Sequence, residues 1–102
     1  MDYSKMCPKY ESAMDVLGKK WTGLIVRVLL DGPKRFKDIK HQIPEMSDKM
    51  LTDRIKELEA GGILQRNVYP ETPVRIEYEL TEKGQALEPI IEKIQAWGDK
   101  WM

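Results

Sequence analysis

The chain has one cysteine, Cys7, and one histidine, His41, among 102 residues. One of each cannot assemble a zinc site within a single chain, and a lone cysteine excludes an intramolecular disulfide. Cysteine or histidine nucleophilic catalysis would need Cys7 beside His41, and no third orienting group suggests itself. No catalytic constellation is present, so an enzyme is not expected, nor is a metal or cofactor. No apolar run approaches the roughly 18 residues of a membrane span, and the opening Met1-Asp2-Tyr3-Ser4-Lys5-Met6 lacks the apolar stretch of a signal peptide. The expected location is cytoplasmic, without membrane association. There is also no excess charge: 17 acids balance 17 bases, which argues against a polybasic, non-specific nucleic-acid coat.

What is present is an ordinary globular balance, 41% apolar and 33% charged, in a length suited to one domain with one modest core. The charge is unevenly distributed. Lys19 to His41 carries seven bases against two acids, and Glu77 to Met102 carries six acids against three bases. One part of the chain can therefore face phosphates while another faces elsewhere, although a small domain can show such fluctuations without consequence.

Proline and glycine punctuate a readable order of elements. Pro8 suits the first turn of a helix; Tyr10, Ala13, Met14 and Leu17 continue it at helical spacing, and Gly18 ends it. A second helix is expected over about Trp21 to Leu30, with Trp21, Leu24, Ile25, Val28 and Leu29 as its apolar face and Asp31-Gly32-Pro33 as its stop. A short third helix spans about Phe36 to Ile43, with Phe36, Ile39 and Ile43 inward, and Pro44 ends it. Ser47 reads as the N-cap of a fourth helix running to about Ala60, with Asp48 in its first turn. Leu51, Ile55 and Leu58 mark its buried side, and Gly61-Gly62 closes it. Two extended segments follow, about Ile63 to Tyr69 and Val74 to Leu80. In the second, Val74, Ile76, Tyr78 and Leu80 alternate with Arg75, Glu77 and Glu79. The connector Pro70-Glu71-Thr72-Pro73 makes a stiff hairpin tip. Thr81 is the expected N-cap of the last helical stretch, and Pro89 either kinks that helix or starts a new one.

The order helix, turn, capped helix, hairpin is the layout of a winged helix-turn-helix, in which the second helix offers its N-terminal residues to base edges in the major groove. At 100° per residue, Lys49, Asp53 and Lys56 point away from Leu51, Ile55 and Leu58, and Met50 and Thr52 flank that face. Ser47 and the first backbone N–H groups stand where a phosphate would sit, and Asp48 in the same turn is counted with the DNA-binding candidates. Lys49 can reach guanine or phosphate, and Thr52 a thymine methyl or a phosphate. Asp53 is unhelpful near phosphate; it can accept from a cytosine amino group or restrain Lys49 or Lys56. Arg75 beside the stiff tip can enter a narrow minor groove, and Lys34, Arg35 and Lys37 can position phosphates. A surface helix with solvated charges followed by an ordinary hairpin would carry the same pattern. The stripe Ile90, Ile94, Trp97 and Trp101 is hard to bury within one small core. A two-fold pair of terminal helices would cover it, joined by Tyr10, Met14 and Leu17 of the first helix; intrachain packing is the alternative.

Taken in order, Cys7-Pro8, Gly18-Lys19-Lys20-Trp21, Gly32-Pro33-Lys34-Arg35-Phe36, Ser47-Asp48-Lys49-Met50-Leu51-Thr52, Lys56-Glu57-Leu58-Glu59, Glu71-Thr72-Pro73-Val74-Arg75-Ile76-Glu77-Tyr78 and Leu80-Thr81-Glu82-Lys83-Gly84 resemble the HxlR-type winged-helix regulators, relatives of the MarR family. The opening around Cys7 and the wing sequence are most similar to the YodB/CatR branch of quinone- and thiol-stress-sensing repressors. The resemblance implies a mainly α fold with a small β-hairpin: one domain over 1–102, with a DNA-binding core at about 21–80 and dimerisation helices at about 7–18 and 85–102. It further implies a homodimeric repressor of detoxification genes on a palindromic double-stranded operator. Cys7 matches the family's N-terminal sensor cysteine, taking a quinone adduct or other S-alkylation, a mixed disulfide with a small thiol, or a bond to the Cys7 of a second subunit. Physically, Cys7 falls at the positive end of the first helix, with Lys5 and Lys9 close in sequence; a buried, inert cysteine is the plainer reading. Some relatives carry a second cysteine near the C-terminus that bridges to the first, and these 102 residues contain none. A repressor controlled by a ligand or by no thiol switch, and a winged-helix protein-interaction module, are the other classes left open.

Overall fold

The computed structural model describes residues 1–102. Its elements run α1 (Pro8–Leu17), α2 (Thr22–Leu29), α3 (Phe36–Gln42), α4 (Asp48–Ala60), β1 (Leu64–Tyr69), β2 (Arg75–Leu80), α5 (Glu82–Gln85) and α6 (Glu88–Trp101). Each expected element is present to within a residue or two, because the local stops act as expected. The Ser47 hydroxyl accepts from Met50 N at 3.1 Å and starts α4. Gly62, at φ +73°, takes the left-handed conformation that a Cβ disfavours. There Ile63 N donates to Leu58 O at 2.9 Å, closing the helix with a 6→1 bond. Thr81 caps α5 through Gly84 N. Pro89 resolves as a helix start: α5 is a single turn, and α6 begins with the proline in its first turn, where the missing N–H costs nothing.

The core lies where α2, α3, α4 and the hairpin meet. It is built from Ile25, Val26, Leu29, Ile39, Ile43, Met46, Leu51, Ile55, Leu58, Ile63, Leu64 and Leu80, with Ile91 of α6 at its edge. Three expectations need correction. The buried side of α2 is Thr22, Ile25, Val26 and Leu29, whereas Leu24 is exposed and Trp21 and Val28 are half-buried. The apolar stripe was one position out of phase, because α2 is apolar nearly all round and periodicity cannot choose its inner face. Phe36 is half-buried at the rim of the core rather than inside it. Along β2 the burial does not alternate: Arg75 to Glu79 are all half-buried and Val74 is exposed. A two-stranded ribbon covered on neither face for its full length has no clean inside and outside.

The hairpin is antiparallel, pairing Leu64 with Leu80, Arg66 with Tyr78 and Tyr69 with Arg75. A third backbone segment joins it. Lys34 exchanges both hydrogen bonds with Tyr78, Lys34 N donating to Tyr78 O at 3.0 Å and Tyr78 N donating to Lys34 O at 2.7 Å, forming an isolated bridge just ahead of α3. This bridge ties the loop before the helix-turn-helix to the hairpin, and nothing in the pattern of the sequence announces it. The radius of gyration is 15.2 Å, against about 13 Å for a compact chain of this length. The excess comes from α1, which buries no residue, and from α6, which buries one. No helix is long and apolar enough to cross a membrane.

Two glycine substitutions separate packing from propensity. A Cβ on Gly84 would stand 2.2 Å from the Ile63 carbonyl oxygen, whereas one on Gly23 in α2 meets nothing within 4 Å. Gly84→Ala is expected to lower unfolding free energy by about 1–3 kcal/mol, and Gly23→Ala to raise it by up to about 1 kcal/mol. Urea melts at one protein concentration check both.

Candidate nucleic-acid interface

The turn from α3 to α4 sets the presentation of the helix-turn-helix. Met46 is fully buried within it, and its N–H donates to Ile43 O at 3.2 Å. The Lys40 ammonium donates to the Met46 and Pro44 carbonyls and lies 3.8 Å from Asp48. A buried methionine and a lysine spanning the turn thus fix the angle between the two helices. With Leu51, Ile55 and Leu58 buried, α4 exposes Ser47, Asp48, Lys49 and Lys56, and half-exposes Met50, Thr52 and Asp53.

Of the expected DNA-facing residues, the structure brings Thr52 and Lys56 of α4 together against the hairpin. The groove between α4 and the hairpin is lined by Phe36, Thr52, Ile55, Lys56, Glu59, Arg66 and Tyr78. Arg66, exposed on β1, is a basic residue of this groove that the sequence reading passed over. Alternation gave no signal for it: Arg66 pairs with Tyr78 and shares the strand face of the buried Leu64, and it is exposed because the core ends before it.

The charges within this face are largely paired. The Lys49 ammonium contacts Asp53 at 3.0 Å one turn along α4, and that hydrogen bond holds the Asp53 carboxyl below its ordinary range. Of the two roles considered for Asp53, the geometry without DNA shows the pairing with Lys49. Glu57 is held low in the same way, first by Lys19 at 2.8 Å and then by Arg54 at 2.9 Å. Lys34 pairs with Asp31 at 2.9 Å and is largely covered, so it braces the fold as well as carrying charge. Arg35, Lys37, Lys56 and Arg66 have no salt-bridge partner and are the free cations among these residues.

Arg75 departs furthest from the expected open wing arginine. Its guanidinium donates to both oxygens of Glu71, at 3.0 and 3.2 Å, and to Glu77 at 2.6 Å. It also lies over the Tyr69 ring, 3.9 Å from the centroid. Those carboxylates push the guanidinium pKa up, and Arg75 in turn pulls Glu71 down, with Arg35 adding to the effect.

The remaining expected residues lie on α1 and α6. Tyr10, Met14, Ile90, Ile94, Trp97 and Trp101 are all exposed and Leu17 is half-buried; Trp97 and Trp101 retain 61% and 64% of their surface. Cys7 is exposed at the N-cap of α1, where its carbonyl accepts from Glu11 N at 3.0 Å and its side chain makes no capping bond. The plainer sequence reading, a buried thiol, is thereby corrected. No group of three or more histidine, cysteine, aspartate or glutamate side chains is placed to hold a metal.

These features match known proteins over nearly the whole chain. The model of the HxlR-like helix-turn-helix family matches residues 16–102. The HTH-type transcriptional regulator YodB of Bacillus subtilis is 57% identical over 94% of this chain and 86% of its own length. Among solved structures, quinone-bound YodB from B. subtilis superposes with a TM-score of 0.81 at 52% identity, covering 94% of this chain and all of that one. The oxidised form of the redox regulator HypR superposes with a TM-score of 0.88 at 42% identity, covering 94% and 98%. The chain belongs to the HxlR family: it is a winged helix-turn-helix, DNA-binding transcriptional regulator of the MarR-like class.

Proposed function

We propose that the chain acts as a homodimeric repressor of stress or detoxification genes, released from a palindromic operator when an electrophile or oxidant modifies Cys7. One observation carries this reading: the exposed Cys7 stands at the start of α1, a helix that buries no residue of its own. An uncovered helix bearing an accessible thiol is suited to respond to modification, provided that a second subunit covers its apolar face.

In this reading α1 and α6 form the dimer layer. Ile90, Ile94, Trp97 and Trp101 recur at spacings of four, three and four, the rhythm of a helix–helix seam, and a monomer would leave an apolar patch of this kind in water at a cost. Two-fold symmetry then sets two α4 helices one helical turn of DNA, or a multiple of it, apart. Lys49, Met50, Thr52, Asp53 and Lys56 face bases. Ser47 and the first N–H groups of α4 frame a phosphate, and Lys34, Arg35 and Lys37 meet the flanking backbone. The α4 stretch Ser47–Lys56 carries three bases and two acids, so its share of the affinity rests on fit, and the salt-sensitive share comes from the cations around it.

With a quinone, the Cys7 sulfur adds to a ring carbon and forms a C–S bond. The displaced electron pair reaches a carbonyl oxygen, which takes up a proton, and rearomatisation leaves a hydroquinone thioether. With an oxidant, the same sulfur forms a mixed disulfide with a small thiol, or pairs with the Cys7 of a second subunit. The relatives lend support, since one is solved bound to quinone and another in an oxidised form. An adduct at the N-cap alters how α1 seats against its partner, and DNA release follows if the altered dimer holds its α4 helices at a different spacing.

Fluorescence anisotropy on DNA from the protein's own upstream region tests the switch. Reduced protein is expected to bind with a steep loss of affinity as salt rises, benzoquinone or diamide to release it, and Cys7→Ser to bind but resist both. Tight binding indifferent to treatment would sink the thiol switch and leave a regulator controlled in another way. The dimer layer is tested separately by sedimentation: Trp97→Glu is expected to shift the protein from dimer to monomer and to abolish operator binding with the isolated fold retained.

A further inference from the structure

Resting on the reading of the hairpin as a wing laid against DNA, we infer that Glu71 and Glu77 form a counter-charge gate on Arg75, and that this gate makes the wing selective for the operator over other DNA. The geometry is that of an occupied site. A guanidinium presents five N–H donors in a planar fork matched to two-oxygen anions. Here the Nε–Nη2 edge is filled by the two oxygens of Glu71 and Nη1 is filled by Glu77. One face is covered by Tyr69, the cross-strand partner of Arg75. A DNA phosphate would approach the same fork, so it competes directly with the Glu71 carboxylate for the same donors.

The local chain keeps Glu71 in that seat. Pro70 and Pro73 bracket it, and its own N–H is held by the Tyr69 carbonyl at 2.8 Å. Little entropy is then lost in holding the carboxylate against the arginine. The wing segment from Tyr69 to Glu77 contains two acids and one base. With Arg75 neutralised, the tip presents negative charge to any duplex that does not displace Glu71. A phosphate placed by a correctly seated α4 can take over the fork; a phosphate met in random encounter must overcome the repulsion first. The gate thereby lowers non-specific affinity more than specific affinity, which is how specificity arises from a repulsive element.

The test is a double-mutant cycle on Glu71 and Arg75, read by anisotropy against two duplexes of equal length, one from the protein's own upstream region and one with that sequence scrambled. Glu71 is more than half exposed, so Glu71→Gln should leave the fold intact, as circular dichroism and thermal melting will show. Glu71→Gln is expected to tighten binding to the scrambled duplex by roughly threefold or more at low salt. Its non-specific salt slope should steepen by about 0.9, the signature of one added phosphate contact, and the operator-to-scrambled ratio should fall. In the Arg75→Gln background both gains should vanish. Unchanged binding to the scrambled duplex in Glu71→Gln overturns the gate alone. So does an equal gain with or without Arg75, because loss of a negative charge would then account for it. If the unsubstituted protein binds neither duplex, the DNA reading falls and the gate with it.

Discussion

The turn joining α3 to α4 is the constraint on which the rest of the site depends. A helix-turn-helix reads DNA only if the second helix projects at a fixed angle from the body of the domain. Here that angle is set by the fully buried Met46 side chain and by Lys40 reaching across to the carbonyls of Pro44 and Met46. The Ser47 cap then starts α4 at a defined residue. Everything exposed on α4, from Ser47 to Lys56, inherits its direction from this joint, and so does the groove that α4 shares with Arg66 and Tyr78.

Beyond that joint, the electrostatics of the face is one of restraint. Lys49 is tied to Asp53, Lys34 to Asp31 and Arg75 to Glu71 and Glu77. The exposed Lys49–Asp53 pair contributes little to stability, but all of these pairs limit how much positive charge the surface shows to an arbitrary duplex. The chain's zero net charge fits the proposal that affinity depends on exchanging internal partners for phosphates and bases at a matching site. A regulator that must ignore most of a genome gains from such exchange.

Local chemistry made most of the fold legible in the sequence. Pro8, Gly18, Pro44, Ser47, Gly61-Gly62 and Thr81 each act within a few residues of themselves, and the elements begin and end where they said. The HxlR-type resemblance, carried by motifs spread from Cys7 to Gly84, was legible for the same reason. What escaped was non-local. The Lys34–Tyr78 bridge joins residues far apart in sequence through backbone alone. The inner face of α2 depends on what packs against it, so Leu24 was placed inside and Val26 was not. Arg75 read as a free wing cation because its partners, two and four residues away, meet it only once the hairpin turns. The apolar face of α1 and α6 is legible as a stripe, but a stripe does not name what covers it.

The most direct measurement of the central account, a dimer that lays two α4 helices in the major groove, is site-directed photocrosslinking on operator DNA. A short photoreactive group at Thr52 is expected to label two sites in the duplex, symmetric about the operator centre and one helical turn, or a whole multiple of it, apart, while the same group at Gln95 on α6 labels none. A single labelled position, or equal labelling from Gln95, would contradict it.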